Sequence, residues 1–108
     1  MGSLLYGSSS TKIAFDDRAL AHLQIVITAK LRRREGFVLS WTNTTLDGSG
    51  RGAIWLDPSS ILYFRYDGSR SPQINREWIN ILAMSSNTPA GLIFTLEPPT
   101  PEVLPSRP

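Results

Sequence analysis

The sequence contains no cysteine and a single histidine, His22. Without cysteine, the chain has no disulfide, no thiolate ligand for a metal ion and no thiol nucleophile. One histidine also excludes a metal site built from several imidazoles. We therefore expect no metal ion and no cofactor in this protein.

Long apolar segments are missing as well. No apolar run approaches the ~20 residues that a membrane-spanning helix needs. The N-terminus lacks the order of a secretory signal, in which positive charges precede an apolar stretch. We expect a cytoplasmic protein with no membrane partner.

Positively and negatively charged residues are nearly equal in number. The 108 residues include 11 Lys or Arg and 9 Asp or Glu, which gives a net charge of +2. The sequence pI of 9.4 follows from this small surplus, because almost no group titrates between the carboxylates and the lysines. A hydrophobic content of 41% is typical of one folded globular domain.

Proline is concentrated at the C-terminus, where residues 98–108 hold five of the eight prolines. Proline lacks a backbone N–H and therefore cannot continue a sheet or a helix interior. We predict a single folded domain over residues 1–97 and a disordered proline-rich tail over residues 98–108.

The strongest secondary-structure signal is a helix that follows Asp16 and Asp17, two carboxylates suited to an N-terminal cap. We expect Gly36 to end this helix and His22 to lie exposed on its flank. Residues with helical spacing form an apolar stripe on its core side: Ala19, Leu20, Leu23, Val26, Ile27 and Leu31.

The rest of the chain predicts strands and one further helix. Alternating or apolar runs indicate strands over residues 3–6, 12–15, 37–42, 53–57, 61–66 and 92–96. Residues 47–52 indicate a hairpin tip. A second amphipathic helix begins near Asn75, with four residues facing inward: Ile74, Trp78, Ile81 and Leu82. The order ββ-α-βββ-α-β predicts an α+β domain, with a mostly antiparallel sheet and two helices packed on one face.

A basic run lies at the C-terminal end of the first helix: Lys30, Arg32, Arg33 and Arg34. Cations there offset the partial negative charge of the free helix carbonyls, which is one interpretation. The other is contact with nucleic-acid phosphates, extended by Arg51. Trp55, Tyr63 and Arg65 would add a stacking surface if they face away from the core. That sheet face could equally be a dimer interface, so the sequence leaves both interpretations open.

A second stripe on the first helix lies opposite the core stripe and consists of Ala21, Ile25 and Ala29. Their i, i+4, i+8 spacing places them in one line. An exposed isoleucine between two alanines is a flat surface on which another helix can pack closely. We predict self-association, as a homodimer, through this face.

Catalytic motifs are missing from the sequence. It contains no Gly-x-Ser-x-Gly elbow for a serine nucleophile. Residues 7–12 lack the second glycine and the following helix of a phosphate-binding loop. Asp16 and Asp17 are adjacent and therefore point apart. We expect a protein without enzymatic activity.

Several blocks of the sequence together resemble known proteins: residues 1–7 (MGSLLYG), 21–35, 37–41 (FVLSW), 50–51, 54–56 and 75–78. Over residues 1–97 the chain resembles a family of short bacterial proteins of unknown function, often labelled as ATP-dependent DNA ligases. Such a ligase needs a lysine nucleophile in a Lys-x-Asp-Gly motif. Lys12 precedes Ile-Ala-Phe and Lys30 precedes Leu-Arg-Arg. The resemblance therefore implies a bacterial, cytoplasmic setting and no catalytic residue.

We interpret the sequence as a non-catalytic binding or assembly module that self-associates. The alternative is a small accessory module that binds nucleic acid through the basic run.

Overall fold

The order of helices and strands follows the sequence prediction, and the α+β class is confirmed. The computed structural model describes residues 1–42 and 50–99. Half of the predicted hairpin tip, residues 47–49, and the predicted disordered tail from residue 100 onward lie outside the described residues. The elements are β1 (Gly2–Tyr6), β2 (Thr11–Phe15), α1 (Asp17–Arg32), β3 (Phe37–Thr42), β4 (Arg51–Leu56), β5 (Leu62–Arg65), α2 (Arg76–Ser86) and β6 (Leu92–Ile93).

The strands form two three-stranded sheets rather than the single sheet that we predicted. β1 lies between β2 and β5 and is antiparallel to both, whereas β3 lies between antiparallel β4 and parallel β6. The division occurs at the corner after β4. There the Asp57 carboxylate accepts hydrogen bonds from the backbone N–H and the hydroxyl of Ser59, at 2.9 and 2.7 Å. This side-chain turn, next to Pro58, directs β5 to β1 instead of back along β4.

Helix α1 has the cap that its sequence predicts but ends earlier than expected. Asp16 Oδ1 accepts a hydrogen bond from a backbone N–H of the first turn at 2.7 Å. The last helical residue is Arg32, and Arg34 takes the left-handed conformation (φ 60°) that we expected of Gly36. Gly36 instead leaves space for an aromatic ring, because a Cβ there would lie 2.5 Å from Cζ2 of Trp55.

Helix α2 begins as predicted, at the cap residue Asn75. Its side chain accepts hydrogen bonds from two N–H groups of the first turn, at 3.0 and 3.4 Å. Trp78 and Leu82 are buried, whereas Ile81 is half-buried and Ile74 is 42% exposed. Ile74 precedes the cap, so the helical spacing that orients the other three does not apply to it. The last strand contains only Leu92–Ile93 and is shorter than the predicted run.

The core lies between the helices and the inner faces of both sheets. Aromatic rings link the sheets: Phe15 of β2 packs edge-to-face against Trp41 of β3 and against Phe94, with ring centroids 6.2 and 5.2 Å apart. The largest fully buried side chains are Leu4, Leu20, Leu23, Ile27, Leu39, Leu56, Leu82, Leu92 and His22.

Candidate functional site

The outer side of helix α1 carries an apolar line, in which Ile25 and Ala29 are exposed and Ala21 is half-buried. Ala21, Ile25 and Ala29 lie along it, as their spacing predicts, while the opposite side of the helix is buried. Ile25 is 42% exposed. We call these three residues the α1 ridge.

A groove of about 610 Å³ runs along one side of the α1 ridge. Its second wall is formed by the segment from residue 66 to residue 74, with Pro72 and Ile74 as apolar members. The O–H of Tyr66 donates a hydrogen bond of 2.6 Å to Oε1 of Gln24 and so ties this wall to the helix. Burial raises the pKa of Tyr66, which therefore keeps its proton. The sequence did not predict this wall, because the two partners are 42 residues apart.

A smaller groove of about 170 Å³ lies on the other side of the ridge, between the two helices. Ile25 and Ala29 line both grooves. Helix α2 contributes Ile79 and Ala83 to the smaller one. The ridge is therefore a raised apolar line with a depression along each side. Helices pack by inserting such ridges into the grooves of a neighbour.

The two ends of α1 carry charges of opposite sign. Asp16 and Asp17 lie at the N-terminal end, and residues 32–34 at the C-terminal end are arginines. The Asp17 carboxylate accepts hydrogen bonds of 2.8 and 3.1 Å from two backbone N–H groups of the loop after β5. These bonds lower the pKa of Asp17 and keep it ionised.

Lys30 does not belong to the exposed basic end. Its side chain is 8% exposed and its ammonium lies 2.8 Å from Oε1 of Glu35. It also donates a hydrogen bond of 3.0 Å to Oδ1 of Asn87. Glu35 pairs with Arg33 at 3.3 Å as well, and its hydrogen bonds to Lys30 and then Arg33 lower the pKa of Glu35. Two of the four basic residues are therefore paired locally.

Arg51 lies away from this basic end. It pairs with Thr42 at one end of the β3–β4 hairpin, whereas Phe37, which follows α1, pairs with Leu56 at the other. At ~3.4 Å per strand residue, about 17 Å separate the two ends of the hairpin. The structure therefore does not bring Arg51 beside residues 32–34.

Tyr63 and Arg65 lie on the outer face of the β2-β1-β5 sheet, and both are exposed. The strand register places Lys12 on the same face, because Lys12 and Tyr63 both pair with Leu5. Lys12 was not among the residues predicted for this face, although its alternation with Ile13 in the strand was an available signal. None of the strand residues of this face carries a carboxylate. They are Ser3, Leu5, Lys12, Ala14, Tyr63 and Arg65.

Trp55 does not join that face. It is 52% exposed but belongs to β4 in the other sheet. Its indole N–H donates a hydrogen bond of 2.9 Å to Oδ2 of Asp57. The predicted stacking set of Trp55, Tyr63 and Arg65 is thus divided between two sheets.

A metal site and a membrane span are not found in the described parts of the chain. Within residues 1–42 and 50–99, no three or more His, Cys, Asp or Glu side chains are grouped so that they could hold a metal ion. Neither helix in these ranges is long and apolar enough to cross a membrane.

A family model matches residues 1–97, which contain every element from β1 to β6. The chain belongs to the DUF7882 family. Its description is a domain of unknown function, which confirms the predicted resemblance to an uncharacterised family. No curated protein and no solved structure matches the chain. The α1 ridge and both grooves lie inside the DUF7882 region.

The DUF7882 region ends at Glu97, which is held beside the first turn of α1. Arg18 donates from Nε and Nη2 to the two carboxylate oxygens of Glu97, both at 2.7 Å. Asn75 Nδ2 donates to Oε2 of Glu97 at 2.8 Å. The hydrogen bonds from Arg18 and then Asn75 hold the pKa of Glu97 at about 2.

His22 joins this cluster and is fully buried in the DUF7882 domain, which corrects our expectation of an exposed side chain. Its Nε2 accepts a hydrogen bond of 2.8 Å from the backbone N–H of Asn75, so Nδ1 carries the proton and donates to the carbonyl of Arg18 at 2.7 Å. The ring packs on Trp78, with centroids 4.5 Å apart. Both ring nitrogens are therefore hydrogen-bonded within the fold, where the imidazole joins the first turn of α1 to the cap of α2.

Proposed function

We propose that the DUF7882 domain is a non-catalytic assembly module that binds a second copy of itself through the α1 ridge. The observation that carries the proposal is the exposure of Ile25, of which 42% faces solvent between two grooves. Burying apolar surface contributes ~25 cal/mol per Å², so covering this continuous surface is favourable. A second copy presents the same ridge and grooves, so the ridge of each copy can lie in a groove of the other.

The lining of the larger groove supports binding rather than catalysis. Its charged members are Arg32 and Arg70, and it includes no carboxylate and no histidine. Tyr66 and Gln24, two of its polar members, are hydrogen-bonded to each other. General acid–base chemistry needs a proton donor and an acceptor that converge on one point, and this lining does not supply them.

Light scattering behind size exclusion tests the proposal. The unmodified chain is expected at twice the monomer mass, and Ile25→Asp, which places a charge on the ridge, is expected at half that value. Met84→Asp is the matched control, because Met84 is an apolar residue of α2 that is 70% exposed and lines neither groove. Circular dichroism checks that both variants fold. A monomeric unmodified chain, or an Ile25→Asp variant that stays dimeric, contradicts the proposal.

A second candidate function is contact with single-stranded nucleic acid through the outer face of the β2-β1-β5 sheet. Tyr63 is 57% exposed there and available for base stacking. Lys12 and Arg65 supply two cations for phosphates on the same face. This face is a better candidate than the basic run, in which Lys30 and Arg33 are paired with Glu35.

Fluorescence anisotropy of a labelled oligothymidine separates the two basic surfaces. We expect the Lys12→Glu, Arg65→Glu double variant to lose binding, and the Arg32→Glu, Arg34→Glu variant to keep it. The affinity should fall steeply as salt is added. Binding that ignores salt, or that depends on residues 32 and 34, contradicts this second candidate.

The bacterial origin and the cytoplasmic location expected from the resemblance remain predictions. Neither candidate function depends on them, because both rest on surfaces of the folded domain.

A further inference from the structure

We infer that two copies pair through antiparallel α1 helices, related by a two-fold axis that passes beside Ile25. The inference rests on the proposed self-association and adds the geometry of the pair. A two-fold interface needs a patch that is complementary to itself. The α1 ridge meets this need because an alanine stands four residues before Ile25 and another four residues after it. In the antiparallel pair, Ile25 meets its counterpart and Ala21 of each copy meets Ala29 of the other.

The charges at the two ends of α1 favour the antiparallel direction. In this register Arg32 of one copy lies opposite Arg18 of the other, because both positions are seven residues from Ile25. Glu97 pairs with Arg18, and Asp16 and Asp17 lie beside the same turn, so this end of α1 carries a net negative charge. A parallel pair would instead place residues 32–34 of both copies, all arginines, side by side.

Distances along the helix show how far the antiparallel pair separates the arginine end of one copy, residues 32–34, from that of the other. At ~1.5 Å per residue, Arg32 lies about 10 Å from Ile25 along the axis. The two Arg32 side chains are then about 20 Å apart along the helices, well beyond the screening length of physiological salt. Antiparallel helices also bring the positive end of each helix dipole near the negative end of the other.

The grooves give Ile25 of each copy a place to insert. The larger groove lies between α1 and the segment from residue 66 to residue 74, and Ile74 in that wall is 42% exposed. Alanine side chains at positions 21 and 29 let the two helix axes approach to the short end of the usual 8–10 Å range. Each ridge then fills a depression of its partner, so both apolar surfaces are covered at once.

Cysteine crosslinking tests the geometry, because the chain has no cysteine of its own and every introduced thiol is unique. Ile25→Cys is expected to form a disulfide-linked dimer under mild oxidation. A mixture of Ala21→Cys and Ala29→Cys proteins is expected to form a linked heterodimer. Neither of these two variants alone should form a disulfide-linked dimer. Identical positions lie about 12 Å apart along the antiparallel helices, and a disulfide cannot span that distance.

Met84→Cys measures crosslinking by random collision, because this exposed position of α2 lines neither groove. The melting temperature of each reduced variant confirms that it folds. If Ala21→Cys and Ala29→Cys each crosslink alone and their mixture adds nothing, the pair is parallel: the inference is wrong and self-association stands. If the unmodified chain is dimeric but no α1 thiol exceeds Met84→Cys, another face forms the dimer. That result, or a monomeric chain, overturns both the inference and the proposed function.

Discussion

Arg18 and Glu97 form a bidentate ion pair in which both N–H···O distances are 2.7 Å. The two residues are 79 positions apart in the sequence, so the pair joins the start of α1 to the last residue of the family match. Asn75 and His22 extend the contact to the start of α2. Three distant segments therefore meet in one hydrogen-bonded cluster, which anchors the C-terminal end of the domain.

The Arg18–Glu97 pair predicts a pH-dependent loss of stability in the Glu97→Gln variant. We expect its free energy of unfolding to fall by about 1–2 kcal/mol at neutral pH, since charge-assisted hydrogen bonds are lost at a partly exposed site. The folded chain holds the pKa of Glu97 at about 2, below its ordinary value of 4.5. The ionised carboxylate therefore stabilises the fold fully above the ordinary pKa, and this contribution is lost as the pH falls towards the folded value.

Urea denaturation from neutral to acidic pH measures this difference, and the curves of the two proteins should converge in acid. A double-mutant cycle with Arg18→Gln is the control, because the two losses should not add if the residues act as a pair. A loss that stays constant across the pH range would show that the ion pair does not cause it.

The buried contacts of His22 predict a larger loss of stability than the Arg18–Glu97 pair does. We expect His22→Ala to lower the free energy of unfolding by about 3 kcal/mol, because it leaves a cavity and removes the acceptor of the Asn75 N–H. Thr28→Ala, on the exposed side of the same helix, should change it by less than about 0.5 kcal/mol. Chemical denaturation compares the two. A loss below about 1 kcal/mol for His22→Ala would contradict the structural role of the imidazole.

Features that depend on neighbouring residues were predictable from the sequence. The cap at Asp16, the cap at Asn75 and the buried side of α1 each follow from a few adjacent positions and from helical spacing. The α1 ridge was predictable for the same reason, because the side of a helix opposite its core stripe is fixed by that spacing. These features required no knowledge of what else the helix contacts.

Features that depend on distant segments were not predictable. His22 is buried because the start of α2 covers it, and Lys30 is buried because Glu35 and Asn87 close over it. The larger groove exists only because the segment from residue 66 to residue 74 returns to α1. The two sheets are defined by pairings of strands that are distant in the sequence, β1 with β5 and β3 with β6. No local period in the sequence encodes such long-range pairings.

Two glycines with similar positive φ angles are expected to differ in the cost of substitution. Gly7 and Gly91 have φ values of 81° and 85°, so alanine at either position costs roughly 1–2 kcal/mol in conformational energy. Only at Gly91 would the new Cβ also lie 2.5 Å from the carbonyl oxygen of Val38, whereas nothing lies within 4 Å at Gly7. We expect Gly91→Ala to cost at least about 1 kcal/mol more than Gly7→Ala. Thermal denaturation of both variants checks this, and equal losses would contradict the predicted clash.

The buried surroundings of Lys30 predict that an apolar side chain can replace the lysine at this position. Its ammonium lies over the ring of Phe37, 5.8 Å from the centroid, and contacts Glu35 and Asn87. Lys30→Met keeps the volume and removes the charge, so we expect a change of less than about 1 kcal/mol in the free energy of unfolding. Glu35→Gln leaves the buried ammonium without its carboxylate and should destabilise the domain more than Lys30→Met does. The double variant should return to the stability of Lys30→Met alone.

The same variants decide whether the basic run has any part in nucleic-acid contact. Because the ammonium of Lys30 is directed at the protein, Lys30→Met should leave oligothymidine affinity and its salt dependence unchanged. Lys12→Glu, on the exposed sheet face, should weaken both. If Lys30→Met reduces the affinity as strongly as Lys12→Glu, the ion pair with Glu35 must open on binding, and the end of α1 rather than the sheet would be the nucleic-acid surface.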